Sequence, residues 1–431
     1  MGKNHIYRRT LGLAVAASLV ALTACGGTGE AEDNSAPDGE VTLRWAFWGS
    51  STRAEISEEI IAAFEAEHPG ITVEYQYSGS MADHMNLVST QTAGGDAPDI
   101  IQTEERYFRE YADRGSLLEL DQVDIADFSE ASLAGGSIDG TLYGISSGDN
   151  TFTLLANTDL FDEAGVDLPD DSTWTWDDYA DIAQEISDNL DSVYGAASPT
   201  IMGAVNVWLR QQGQNIATSD GQLGFDAEGL AGLFEMDLEL MRSGALQPAE
   251  LAAETQEAEL ERSLIAQGRA AMSGRWSNQV ADVSGLTGAE IVPLRYPSPT
   301  GNVEDNGMFL KASQLMTVSS TTDYPEEAQQ FIDFVVNSQE AGQIGLVDRG
   351  FPANSAVRDS ITGELDEDNQ RAADFMTEIT PELGDPSPVP PAGFGAATDV
   401  LLRYYQEVLF ERQTPEEAAE NAVRELESLI S

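Results

Sequence analysis

The chain has 431 residues, more than one hydrophobic core ordinarily serves, so two domains are expected. Apolar residues make up 41% and charged residues 22%, the composition of a globular protein rather than a disordered one. With 75 acidic against 21 basic residues the formal net charge is −54, a sign that repels phosphate backbones and argues against a nucleic-acid partner.

At the start of the chain Lys3, Arg8 and Arg9 form a positive segment, and the apolar run 11–21 is too short to span a bilayer comfortably. Leu22-Thr23-Ala24-Cys25 then has the small residues and cysteine of a lipoprotein cleavage box, so 1–24 reads as a signal peptide and the Cys25 thiol as the point of lipid attachment. Cys25 is the one cysteine, which leaves no intrachain disulfide framework. His5, His68 and His84 are too few for a four-ligand Cys/His zinc site, and no metal or cofactor is expected. Residues 25–40 are rich in Gly, Ser, Asn and acids without an apolar period, the composition of a flexible tether.

Val41, Leu43, Trp45 and Phe47 alternate as a half-buried strand ending at a turn, Trp48-Gly49-Ser50-Ser51. A helix with Ile56, Ile60, Ile61 and Phe64 inward follows, then a strand through Ile71, Val73, Tyr75 and Tyr77, an order that implies a parallel crossover. After an amphipathic helix at 81–92, Pro98-Asp99 turns into a strand at Ile100 and Ile101. Asp99 is expected to brace local amides, and Thr103-Glu104-Glu105 stands at the carboxyl end of that strand, where open α/β sheets bind ligands. The stretch 138–176 organises the rest. A Gly140/Gly144 hairpin leads to a polar segment 146–151, expected as a hinge, and then to a buried strand 152–156. Asn157 caps a helix stopped by Gly165, and Thr175 caps another with Asp178 at the capping-box position. Helices are expected at 230–241 and at 257–267. A strand is expected at 270–272, with Gly274 bending the chain toward Arg275 and Trp276. Strands at 291–296 and 315–318 and a helix from Pro325 follow, and helices from about 396 and from Pro415 close the chain.

Several of these pieces together resemble the sugar-binding lipoproteins of ABC importers, the maltose-binding-protein-like family. They are Gly-x-x-Pro-Asp-Ile at 95–100, Tyr-Ala-x-x-Gly-x-Leu at 111–117, the Gly-x-x-Tyr-Gly hairpin at 140–144, Phe-x-x-Ala-Gly at 161–165, Thr-Trp-x-Asp at 175–178, and Gly-Arg-Ala-Ala-Met at 268–272. Arg275 stands where that family has proline before the tryptophan, and Pro352-x-Asn354 is similar to a family crossing.

The resemblance covers 41–431 and implies an α/β, two-lobed periplasmic-binding-protein-like fold with a hinge and a ligand cleft. One lobe is expected from 41–149 and 289–350 and the other from 150–288 and 351–431, with crossings near 149, 288 and 351. It further implies a monomer on the extracytoplasmic face of the membrane, capturing a sugar and passing it to a permease and its ATPase.

Sugars are held by aromatic faces and by planar amide, carboxylate and guanidinium groups. Trp48, Trp276 and Phe394 are the candidates for stacking. Glu104, Glu105, Asp149, Asn150, Arg275 and Arg349 are the candidates for hydroxyls, with Ser50 and Thr103 beside them. Trp45, Trp174, Trp176 and Trp208 are read as packing residues. The competing enzyme is an anchored glycoside hydrolase, which needs two carboxylates facing each other across the cleft. A binding protein for a polyol or a glycerophosphodiester fits the same chain.

Overall fold

The computed structural model describes residues 40–430. The signal peptide, Cys25 and all but the last residue of the tether lie outside the described residues. The strands are β1 (Val41–Trp48), β2 (Ile71–Ser78), β3 (Ile100–Thr103), the short hairpin β4 (Ser137–Ile138) and β5 (Thr141–Leu142), β6 (Gly144–Asn157), β7 (Tyr194–Ala197), β8 (Ala270–Trp276), β9 (Ile291–Leu294) and β10 (Leu310–Val318). Helices of one to five turns connect them.

Leu43, Trp45 and Phe47 of β1 are fully buried, as their alternation requires. Helix Ser51–Glu67 starts at Ser50, whose hydroxyl accepts the Arg53 amide at 3.2 Å. The helix returns the chain to β2, which pairs parallel with β1 from Val41↔Ile71 to Trp48↔Ser78. β3 lies on the other side of β1. Asp99 braces its start: one carboxylate oxygen accepts the Arg44 amide at 2.8 Å and the other the Thr322 hydroxyl at 2.6 Å.

The sheet runs β2-β1-β3-β10-β6-β8-β7, with β9 also on β6. β6 unites it. Its first half, Gly144–Thr151, pairs antiparallel with β10, and its second half, from Phe152, pairs with β8 and β9. One core gathers around Trp45, Phe47, Phe64 and Phe331. A larger one gathers around Phe152, Phe161, Phe234 and Tyr405. The chain passes from the first to the second along β6, returns along β10, and crosses again near Phe351. This is the two-lobed α/β fold.

Four local expectations are corrected. The polar segment 146–151 is strand, not a hinge loop. Its backbone pairs with β10, its Ser146 hydroxyl donates to Asp149 at 2.9 Å, and Gly148 lets the Arg349–Gly350 backbone lie against it. β8 continues straight through Gly274 to Trp276. Glycine stands at 274 because the Tyr296 hydroxyl and Pro199 fill the space of a Cβ, not because the chain bends.

At 257–267 there is only a 3-10 turn, Leu260–Arg262, followed by further turns. Leu264, Ile265 and Ala266 are all buried in succession, which one face of a surface helix cannot achieve, and the Ser263 hydroxyl donates to the Leu260 carbonyl at 2.6 Å. Last, the 291–309 stretch packs with the second core, because β9 pairs with β6 and Tyr296, Met308 and Phe309 are buried there. Helix Ser355–Ile361 packs against helix Gln339–Gly345 of the first core, where Gly342 gives room to Val357.

Candidate functional site

A cleft of about 640 Å³ opens where β6, β10 and the Asp348–Arg349 crossing meet. Each element delivers side chains there for a local reason. β1 ends at Trp48, whose ring lies 5.4 Å from that of His84. β3 ends at Thr103, and Glu104 caps helix Glu105–Asp113 by accepting the Arg106 amide at 2.9 Å. Across β10, Asn150 stands opposite Lys311. β8 delivers Trp276, which packs edge-to-face on Phe152 at 5.1 Å and on Phe309 at 6.2 Å and presents a face to Lys311 Nζ, 5.6 Å from the ring centroid.

Of the residues picked from the sequence, Trp48, Glu104, Glu105, Asn150, Trp276 and Arg349 line the cleft. The other five do not. Ser50 is a helix cap. Thr103 is buried, its hydroxyl 3.1 Å from that of Thr317. Asp149 is buried behind the cleft and bonds the Ser132 and Ser146 hydroxyls. Arg275 is buried beside Trp276, and its Nε has no hydrogen-bond partner among the described residues. Phe394 is fully buried in the second core, so it offers no face for stacking; Gly395 reaches the cleft instead.

The electrostatics are tightly interlocked. Burial works against a charge on Glu104, yet Arg106 and Lys311 outweigh it and hold its pKa at about 2. Arg106 Nε is 2.9 Å and Lys311 Nζ 3.3 Å from its two oxygens. Glu105, 3.5 Å from the same Nζ, is pushed the other way by burial. Arg349 is depressed to about 9, first by burial and then by the like charge of Arg53, with Asp348 opposing. It donates to the Ser57 hydroxyl at 2.8 Å and lies over the Trp45 ring at 5.1 Å.

Sequence reasoning missed Arg53, Asn206, Phe309, Lys311, Gln314 and Asp348, all of which line the cleft. One signal was present. Lys311 is the single lysine beyond residue 3 of a chain that otherwise uses arginine, and it lines the cleft. Among the described residues no group of three or more His, Cys, Asp or Glu is placed to hold a metal, and no helix is long and apolar enough to cross a membrane.

Two α/β lobes with a polar, aromatic-lined cleft at the crossings define the periplasmic-binding-protein fold. Residues 48–342, more than half of the chain, match the bacterial extracellular solute-binding protein family, and the chain belongs to it. Among its relatives, a lactose-binding protein of Rhizobium radiobacter is 26% identical over 50% of this chain and 51% of that protein. An arabinooligosaccharide-binding protein of Bacillus subtilis is 30% identical over 45% of this chain and 46% of that one. The chain thus spans about half the length of the curated relatives it matches. A solved structure, the family 1 extracellular solute-binding protein of Alicyclobacillus acidocaldarius, superposes with a TM-score of 0.71 at 25% identity, covering 92% of this chain and all of that one.

Proposed function

We propose that this protein captures a saccharide between its two lobes and delivers it to the permease of an ABC transporter, held as a monomer at the outer face of the cell membrane by a lipid on Cys25. The observation that carries the reading is the cleft wall. Rings of Trp48, Trp276 and Phe309 stand there with buried amides of Asn150, Asn206 and Gln314, whose side-chain oxygens have no donor among the described residues. A buried amide left unpaired is unfavourable by about 1–3 kcal/mol, and hydroxyl donors arriving with a ligand relieve it. The cleft volume lies in the range that encloses small ligands, and family membership and the names of the relatives support a sugar.

The glycoside hydrolase reading is weaker. Glu104 and Glu105 are displaced in opposite directions, as an acid and base pair would be. Both, however, grip the same Lys311 Nζ from adjacent positions at the start of one helix, whereas hydrolysis needs carboxylates on opposite sides of the bond.

The test is a thermal-shift screen of mono- and oligosaccharides followed by titration calorimetry. A true ligand at a hundred times its Kd adds about 2.7 kcal/mol to stability. Recovery of the sugar unaltered after incubation separates capture from hydrolysis, and a panel in which no saccharide shifts the transition defeats the reading.

A further inference from the structure

The cleft wall carries six carboxylates and four cations, and their pairing is uneven. Asp348 holds Arg53 at 2.8 Å and also meets Arg349. Glu104 holds Arg106, and Glu104 and Glu105 together hold Lys311. Every cation on the wall therefore already faces a carboxylate. Among the described residues the other three carboxylates of the wall face no cation in an ion pair. Glu257 accepts the Ile201 amide at 2.7 Å. Asp282 and Asp399 have neither an ion pair nor a hydrogen bond among the described residues. The charges that act on Asp282 are those of Glu261 and Asp348, both of its own sign. Glu257 feels Arg275 and Arg106 at longer range, and Asp399 acts on it like on like.

A second, independent observation shows what the cleft asks of its occupant. Asn150, Asn206 and Gln314 are 5%, 4% and 3% exposed, line the cleft, and have side-chain oxygens without a donor among the described residues. Hydroxyl groups supply donors to such atoms, and an ionised carboxylate supplies none.

We propose that the cleft selects by charge: it takes an uncharged, hydroxyl-rich saccharide and turns away saccharides that carry carboxylates, with Asp282 and Asp399 setting the discrimination. This rests on the saccharide reading above and narrows it. A uronate entering the cleft finds each cation on the wall already paired and meets the negative charge of Asp282 and Asp399, which no side-chain cation offsets in an ion pair.

The experiment titrates the full chain with matched pairs of saccharides, each neutral member set against its uronate form, such as galactobiose against digalacturonate. At low ionic strength the tightest ligand is a neutral member, and its uronate partner binds at least about tenfold more weakly. In molar salt, where the Debye length is about 3 Å, the gap closes substantially. In the double variant Asp282→Asn/Asp399→Asn the gap narrows by about threefold or more. Both side chains are exposed and make no internal bond, so the variant has no reason to unfold, whereas Glu257 is left intact because it binds the Ile201 amide. A uronate that binds as tightly as its neutral partner overturns the inference and leaves the saccharide reading standing. A gap unmoved by both salt and the double variant also overturns it, since rejection would then be steric. If no member of any pair binds, the saccharide reading falls and this inference falls with it.

Discussion

Trp276 has two claims on its ring. One side leans on Phe152 and Phe309 and the other forms cleft wall under Lys311. Phe152 beside it is fully buried and has only the packing role. Trp276→Ala is expected to weaken saccharide binding by roughly 1–3 kcal/mol, the range for a central interface anchor. Its effect on unfolding should fall clearly below the roughly 3–5 kcal/mol of Phe152→Ala. Calorimetric titration and urea unfolding of both variants check this, and a Trp276 variant as unstable as the Phe152 one, with normal affinity in its folded fraction, would assign the ring to packing alone.

Asp237, deep in the second core, accepts the Tyr405 hydroxyl at 2.8 Å. Burial pushes its pKa up from 3.8 to about 6, with the Tyr405 bond opposing. A pKa raised by folding means that the fold prefers the protonated form. Stability from this group is therefore complete below about pH 4 and is lost as the pH rises through about 6, by at most about 3 kcal/mol. Asp237→Asn keeps an acceptor for Tyr405 and removes the titration. Unfolding curves from pH 4 to 7 should show the wild type falling relative to the variant, and parallel curves would refute the assignment.

The decisive element is β6, which serves both cores along 14 residues. Its Gly148 lies so close to the last crossing that a Cβ would stand 2.5 Å from the Arg349 carbonyl oxygen and 2.8 Å from the carbonyl carbon of Gly350. These are backbone atoms and cannot rotate away. Gly148→Ala is expected to destabilise the protein by roughly 1–3 kcal/mol, measured by urea unfolding; a change within about 0.5 kcal/mol, as at an ordinary surface site, would mean that the two segments part easily.

Other elements follow directly from their sequence. The Thr175/Asp178 capping box forms with both bonds, at 3.3 and 2.8 Å, because its partners are three residues apart. Gly165 stops its helix at φ +71°, open to glycine and disfavoured for other residues.

Across the molecule, three crossings between two cores leave hinge bending as the soft motion, and a ligand that touches both lobes favours the closed form. Solution scattering is expected to give a smaller radius of gyration with a saturating saccharide, and an unchanged curve under confirmed saturation would count against a hinge. Anchoring belongs to the same scale. Cys25→Ser should leave an uncut precursor or release soluble protein, since stable attachment needs more than one acyl chain on that residue. Unaltered size and membrane fractionation of the variant would refute lipidation.

Strand alternation, helix caps, glycine stops and the family motifs were legible because each rests on residues a few positions apart, where backbone geometry sets who meets whom. Six of eleven chosen side chains reach the cleft, and those six are at strand ends or crossings, as the general rule for α/β sheets expects. What escaped the sequence depends on partners far along the chain. Lys311 meets Glu104 at a separation of 207 residues, and Arg349 meets Ser57 at 292. Whether Arg275 or Phe394 faces solvent, whether 146–151 is loop or strand, and which carboxylates find a cation are settled by such contacts. No local pattern encodes them, because the energy that selects them exists only once both lobes have brought the distant segments together.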